Sequence, residues 1–351
     1  METMKHAISK VLMGKDLTKT EAEGVMRVIM SGEATPAQIG SFLTALRLKG
    51  EAVEEITSFA QVMREFAALI NPKVSGTLVD TCGTGGDKVK TFNISTAVAL
   101  VAAGAGIPIA KHGNRSVTSK AGSADVLETL GVKIDLDPSG VERCIEEIGF
   151  GFMFAPVFHG AMKYATPVRR EIGIRTVFNI LGPLTNPANA RAQVLGVYDR
   201  DLAEILANVL VGLDVRHAMV VHGLDGLDEI SNLGKTQISE VKGGKVKTYI
   251  VEPKDFGFDL AKPEDIKGYD REGNAVLLIK ILKGGDGPRR DVVLMNSAAA
   301  MIVGGMASDF KEGVEVAKEA IDGGKAYEKL CALIKATGGE ISKLEILEAR
   351  L

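Results

Sequence analysis

The chain has 351 residues, 46% of them hydrophobic and 25% charged, enough for one large domain plus a smaller one and for a full buried core. Its 42 basic and 45 acidic residues leave a net charge of −3, which argues against a broad nucleic-acid-binding face but leaves room for a local cationic pocket. Three scattered cysteines, Cys82, Cys144 and Cys331, suggest neither a disulfide framework nor a zinc knuckle and fit a reducing cytoplasm. Residues 1–30 carry charges throughout, and the longest apolar run, from Ala97 to Ala110, is broken by glycines and a proline. Neither a signal peptide nor a membrane span is expected.

From Met1 to Leu69 apolar residues recur at three and four positions, as in Ile8, Val11, Leu12 and Ile56, Phe59, Val62, Met63. This spacing predicts four helices. Thr18 and Thr35 are N-cap candidates, Pro36 suits a first helical position, and Gly14, Gly32 and Gly50 sit near breaks. Asn71-Pro72 marks a domain boundary. Leu78 to Phe154 then alternates short β-branched runs with helical ones, the pattern of βαβ units and a mainly parallel sheet. The fold class expected is α/β: a small all-helical domain, residues 1–72, beside a larger α/β domain, residues 73–159 and 188–351. Helical stretches near Arg169 and Phe178, followed by Gly182-Pro183 and Asn186-Pro187, break the rhythm, so residues 160–187 are expected to return to the helical domain.

Beyond them come a strand near Val194 to Tyr198, a helix from Leu202 to Leu213, a strand from Ala218 to Val221 and a loop, His222 to Glu229. Thr236 to Val241 and Val246 to Val251, joined through Gly243-Gly244, read as a hairpin at the sheet edge. The segment from Pro253 to Arg290 is rich in glycine and charge and carries no assignable pattern, after which Val292 to Val303 and Val314 to Ile321 read as helices of small residues. No internal repeat or low-complexity tail is present.

Two loops carry the chemistry. The first, Asp80-Thr81-Cys82-Gly83-Thr84-Gly85-Gly86-Asp87, has three glycines that let the backbone turn sharply and offer bare N–H groups to an anion. Thr91-Phe92-Asn93-Ile94-Ser95-Thr96 follows, with Asn93 as N-cap to the apolar run Ala97 to Ala103, so that the amides around Ser95 and Thr96 would lie at the positive end of a helix dipole. The second, Lys111-His112-Gly113-Asn114-Arg115-Ser116-Val117-Thr118-Ser119-Lys120, leaves a strand near Ile107 to Ala110 with cations and hydroxyls dense enough for a polyanion, and a helix resumes after Ser123. Ligands in such sheets bind beyond the carboxyl ends of strands. Neither GxGxxG nor the GxxxxGK[ST] spacing is met, so no standard dinucleotide or ATP motif is present.

These two loops closely resemble the signature of the anthranilate phosphoribosyltransferases. Two further blocks extend the resemblance: Pro167-Val168-Arg169-Arg170-Glu171-Ile172-Gly173 with Arg175 to Pro187, and Asp225-Gly226-Leu227-Asp228-Glu229-Ile230-Ser231. It covers essentially the whole chain. The family implies transfer of a 5-phosphoribosyl group from phosphoribosyl pyrophosphate to anthranilate, in tryptophan biosynthesis, by a cytoplasmic homodimer joined through the helical domain. It implies that Gly83, Gly86, Asp87, Thr91, Asn93, Ile94, Ser95, Thr96, Lys111, His112, Gly113, Asn114, Arg115, Ser116, Val117, Thr118, Ser119 and Ser123 hold the phosphoribosyl donor. Gly83, Asn114 and Arg169 would hold anthranilate, a role that suits a guanidinium's two parallel hydrogen bonds to a carboxylate. Ser95, Asp228 and Glu229 would hold magnesium, two ions per monomer, through the oxygen ligands that ion prefers.

An isolated acidic pair or arginine is ordinarily a solvated surface feature; here the surrounding blocks reverse that reading. No residue is assigned as catalytic. His112 is the available base, yet an aromatic amine is already neutral, so positioning is favoured over proton removal. Cys82 has no partner for a reactive thiol. Two alternatives remain. A pyrimidine nucleoside phosphorylase would cleave nucleosides with phosphate and without magnesium, an analogy at fold level; a non-catalytic nucleic-acid-binding relative would retain single strands with a steep salt dependence.

Overall fold

Glu2–Leu12 (α1), Lys19–Met30 (α2), Pro36–Lys49 (α3) and Val53–Glu65 (α4) form the opening bundle; the computed structural model describes residues 2–86, 89–116 and 121–351. The caps explain why the helices start where they do. Thr18 and Glu21 make reciprocal side chain to backbone bonds, and so do Thr35 and Gln38, with Pro36 at the first helical position of α3. Each pair satisfies two amides that the first turn leaves orphaned. Gly14, Gly32 and Gly50 all take positive φ at the ends of helices.

A seven-stranded sheet follows, built from Val79–Gly83 (β1), Ile109–Gly113 (β2), Phe150–Phe154 (β3), Ala192–Gly196 (β4), His217–Gly223 (β5), Thr236–Lys242 (β6) and Lys245–Val251 (β7). Its order is β3-β2-β1-β4-β5-β6-β7; the first five strands are parallel and the terminal hairpin is antiparallel. Ile94–Ala105 (α5) crosses from β1 to β2, and Ser123–Thr129 (α6) and Pro138–Ile148 (α7) cross from β2 to β3. The chain then runs through Ala155–Phe158 (α8), Thr166–Ile172 (α9) and Phe178–Leu184 (α10) to reach β4 on the other side of β1. Strand order therefore reverses between β1 and β4, the place where parallel sheets open a crevice at their carboxyl ends.

Strand side chains alternate between two cores. Ile109, Val194 and Val221 pack with α5, while Leu195, Ala218 and Val220 join the core of the opening bundle, together with Val168, Phe178 and Leu181 from α9 and α10. Asp201–Gly212 (α11) lies against α4 so closely that a Cβ at Gly212 would come within 2.9 Å of Thr57. The bundle and one face of the sheet thus share a continuous apolar core.

Several boundaries differ from expectation. The β4 strand begins two residues earlier, at Ala192, and ends at Gly196, beside the crevice. The α5 helix starts at Ile94, directly after the expected N-cap position. Asn93 occupies its N-cap position, but its side chain makes no cap; its Nδ2 donates to the Ala121 carbonyl, 3.1 Å away, and its Oδ1 accepts from Asn274. The unassigned stretch after Pro253 contains Arg271–Leu282 (α12), which leads to Pro288–Gly304 (α13) and Phe310–Asp322 (α14). Two more helices that the sequence pattern does not mark, Lys325–Ala336 (α15) and Ile341–Glu348 (α16), complete the packing around α5 and α12. Among the described residues no helix is long and apolar enough to cross a membrane.

Candidate active site

The paired ends of β1 and β4 are two glycines. Gly83 and Gly196 are register partners, and both face the loop after β5. A Cβ on Gly196 would overlap the Asp228 carbonyl oxygen, and one on Gly83 would stand 3.2 Å from Asp228 Oδ2. Hydrogen atoms at both positions therefore let the Asp228 segment settle over the strand ends. Thr84 continues this contact, its amide donating to the Gly196 carbonyl at 2.9 Å and its hydroxyl accepting from the Tyr198 amide.

Beside the glycines lies a buried cation. Lys111, in the middle of β2, is 1% exposed; its Nζ donates to the Thr81 carbonyl and, at 3.3 Å, to Ser95 Oγ. Burial pushes its pKa down, and Asp80 and Glu229 act against that shift. Asp80 is fully buried, and burial pushes its carboxyl up, opposed chiefly by Lys111 and then by hydrogen bonds from Asn186 Nδ2, at 2.8 Å, and the His112 amide. The pair holds together because each ion is the other's main counterweight in a medium of low dielectric. Ser95 is at the second position of α5. Ile94 and Thr96 amides are bonded to Phe92 and Asn93 carbonyls, which leaves the Ser95 N–H without an acceptor among the described residues, at the positive end of a twelve-residue helix.

Ser95, Lys111, Gly83, Asp228 and Glu229 are thus brought together at the switch point. Asp228 and Glu229 are half-buried. Two adjacent carboxylates and a hydroxyl are oxygen donors only, a set that fits a hard divalent cation and not a soft one. Among the described residues no cluster of three or more His, Cys, Asp or Glu exists, so such an ion would draw its remaining ligands from water and bound phosphate.

The second loop curls back on itself. The Asn114 carbonyl accepts from the Ala124 amide and from Ser123 Oγ, while the Ser116 and Gly122 amides both donate to Asp125. Arg115 pairs with Asp125 and Glu128, and these two carboxylates hold its guanidinium charged. Gly113 closes on Phe152 and Ser123, so a Cβ there would collide with both. Thr91 forms an isolated bridge with Lys267. Asp87, Val117, Thr118 and Ser119, also expected at the donor, lie outside the described residues.

Arg169, on α9, stacks its guanidinium 5.3 Å from the centre of the Phe178 ring, and burial lowers its pKa. No carboxylate among the described residues pairs with it. Three neighbours, two of them within the block Arg175 to Pro187, have no role assigned from sequence. Arg175 stacks on Tyr198 at 4.0 Å and donates to the Gly86 carbonyl, latching the helical segment to the first glycine loop. Asn186 donates to Asp80 and to the Ala110 carbonyl, and accepts from the Ala188 amide. His159 faces His112, their ring centres 5.0 Å apart.

The two histidines are neutral. Burial, then the neighbouring ring and Lys111, push His112 down to about 3, and burial pushes His159 down to about 4. His112 Nδ1 lies 3.2 Å from the Gly182 carbonyl, so Nδ1 carries the proton, and Nε2 is a buried lone pair with no partner among the described residues. The unfolded histidines titrate near their ordinary value of 6.5, so between that pH and about 4 the unfolded chain binds more protons and stability falls as pH falls. At pH 5 the loss is about 2 kcal/mol for each histidine. Urea unfolding followed from pH 7 to pH 5 should show a shallower decline for His112→Gln than for wild type; parallel declines would contradict a neutral buried pair.

Two family models match this chain: residues 5–67 match "Glycosyl transferase family, helical bundle domain" and residues 75–327 match "Glycosyl transferase family, a/b domain". A protein of Acetivibrio thermocellus named anthranilate phosphoribosyltransferase is 55% identical over 343 residues, covering 98% of this chain and 99% of that one. The crystal structure of anthranilate phosphoribosyltransferase from Thermus thermophilus superposes with a TM-score of 0.90 at 44% identity, over 95% of this chain and 99% of that one. The Saccharomyces cerevisiae enzyme in complex with phosphoribosyl pyrophosphate and magnesium superposes with a TM-score of 0.88 at 31% identity, over 96% of this chain and 98% of that one. With both domains matched and identity above half along nearly its full length, this chain belongs to the anthranilate phosphoribosyltransferase family.

Proposed function

We propose that the chain transfers the 5-phosphoribosyl group of phosphoribosyl pyrophosphate to the amine of anthranilate, releasing pyrophosphate. The observation that carries this reading is the gathering of Lys111, Ser95, Asp228 and Glu229 around the Gly83–Gly196 pair, one lysine amine, one helix-terminal amide and two carboxylates at a single switch point. In the reaction the C1–O bond to pyrophosphate breaks, a C1–N bond to anthranilate forms, and the one proton the amine gives up after attack passes to water or the released pyrophosphate. Positive charge builds on the ribose and negative charge on the leaving group. Lys111 and the Ser95 amide would stabilise the second, fixed in place before the reaction begins. Ser95, Asp228 and Glu229 would hold magnesium, two ions per monomer, which neutralises phosphate charge when bound.

The acceptor would lie against Arg169 and Asn114. An unpaired, partly desolvated guanidinium resting on Phe178 is ready for a carboxylate, and the ring beneath it offers an aromatic acid an apolar surface. With a pKa of about 3, His112 is too weak a base to remove a proton ahead of attack, so its Nε2 would orient the bound substrate instead.

The same proposal divides the chain into residues 1–72 with 160–187, and 73–159 with 188–351, closing on the substrates near Asn71-Pro72 and Asn186-Pro187. It also places the enzyme in the cytoplasm as a homodimer. Free thiols at all three cysteines support the first, and exposed Leu12, Met13 and Leu48 on the bundle support the second. Light scattering giving the mass of one chain would contradict the dimer. The nucleoside phosphorylase and nucleic-acid-binding alternatives are not favoured by relatives matched over 98% of the chain.

The test follows loss of anthranilate fluorescence on mixing with phosphoribosyl pyrophosphate and magnesium. Arg169→Ala should raise the anthranilate KM about 100-fold, the loss of one charge-assisted bidentate contact, with the donor KM unchanged. Asp228→Asn with Glu229→Gln should abolish magnesium-dependent turnover. Full activity in both variants would mean that the roles are misassigned.

A further inference from the structure

Helix α13 is buried along nearly its whole length among Val, Leu, Met and Ala, and in the middle of it stands Asn296, 1% exposed. An amide at such a position costs stability unless every donor and acceptor is used. Here two of the three bonds go to one residue of the acidic loop. Asn296 Oδ1 accepts from the Ile230 amide at 2.8 Å, and its Nδ2 donates to the Ile230 carbonyl at 2.8 Å and to the Val292 carbonyl one turn back at 2.8 Å. The side chain pairs with Ile230 as a neighbouring strand would, although Ile230 lies in no strand.

Ile230 directly follows Asp228-Glu229, and side chains help to hold the chain around it. Asn232 Nδ2 donates to the Pro288 carbonyl at the start of α13, and Ser231 Oγ donates to Asp225 at 2.6 Å. Leu227 and Ile230, which bracket the acidic pair, are both fully buried. On the other side the Asp228 carbonyl rests on Gly196. The loop is therefore fixed against β4 at Asp228 and against α13 at Ile230.

We propose that Asn296 is a positioning residue for the acidic pair: it supplies the donor and acceptor that a missing strand would supply, and so sets the direction in which Asp228 and Glu229 present their carboxylates to a magnesium-bound diphosphate. Asparagine is required because a peptide unit needs both an acceptor and a donor, which aspartate and leucine each lack in part or whole. This inference rests on the functional reading above. Supports behind a metal's ligands typically contribute about 10–100-fold in affinity.

The experiment is titration calorimetry with magnesium pyrophosphate and, separately, with anthranilate, on wild type, Asn296→Ala and the space-filling Asn296→Leu. Both variants should bind magnesium pyrophosphate about 10–100-fold more weakly and anthranilate within twofold of wild type. Variants that bind magnesium pyrophosphate as wild type does would overturn the clamp alone, and so would an equal fall for both ligands, which marks general loosening. A wild type that gives no heat with magnesium pyrophosphate would sink the functional reading, and the clamp with it. If neither variant folds, hydrogen exchange on wild type decides: the Ile230 amide, bonded to Asn296 Oδ1, should exchange far more slowly than that of exposed Asp225, and equal rates would overturn the proposal.

Discussion

Two hydrogen atoms, those that Gly83 and Gly196 carry in place of side chains, set the shape of the site. The strands they end are neighbours in register, so the two glycines lie side by side where the order of the sheet reverses. The space they leave is taken by Asp228, whose carbonyl rests on one and whose carboxylate stands beside the other. Three polar groups gather near that contact: Lys111 from β2, Ser95 from the start of α5, and Glu229 next to Asp228. A parallel sheet with helices on both faces supplies the rigidity that holds such a group of charges in place.

The charges at the site are costly to bury and are retained in pairs. Lys111 and Asp80 are both shielded from water, and burial disfavours the charge of each while the other opposes that shift. Lys111 is held by the Thr81 carbonyl and Ser95 Oγ, and Asp80 by Asn186 and the His112 amide, and groups fixed in this way need no reorganisation when charge develops. The histidines follow the opposite rule. His112 and His159 lack acidic partners, so burial leaves them neutral, and what they offer is a hydrogen-bond acceptor instead of a proton shuttle.

Much of this was legible in the sequence because glycine, proline and capping residues have local causes. Thr18 with Glu21 and Thr35 with Gln38 announce helix starts that need no tertiary information, and the hairpin through Gly243-Gly244 likewise follows from its turn. Groupings that depend on distant partners were not legible. Asn93 has a cap-forming side chain, yet Ala121 and Asn274 compete for it and prevail. Helix α12 carries Gly273 and Asn274 in its first turn and is apolar on most sides, so no stripe of period 3.6 marks it. Gly196 is one of forty glycines, and only the register between β1 and β4 distinguishes it. Asn296 in an apolar run was silent until Ile230 was beside it, and Arg175, though it opens a resembling block, had no role until Gly86 was beside it.

The central claim is that the acidic loop can serve the crevice only because Gly196 has no side chain. Titration calorimetry of Gly196→Ala with phosphoribosyl pyrophosphate and magnesium tests it most directly. The added methyl would overlap the Asp228 carbonyl and force the loop away, so the account predicts no heat of donor uptake at concentrations that saturate wild type, with anthranilate uptake retained. Donor binding as tight as that of wild type would contradict it.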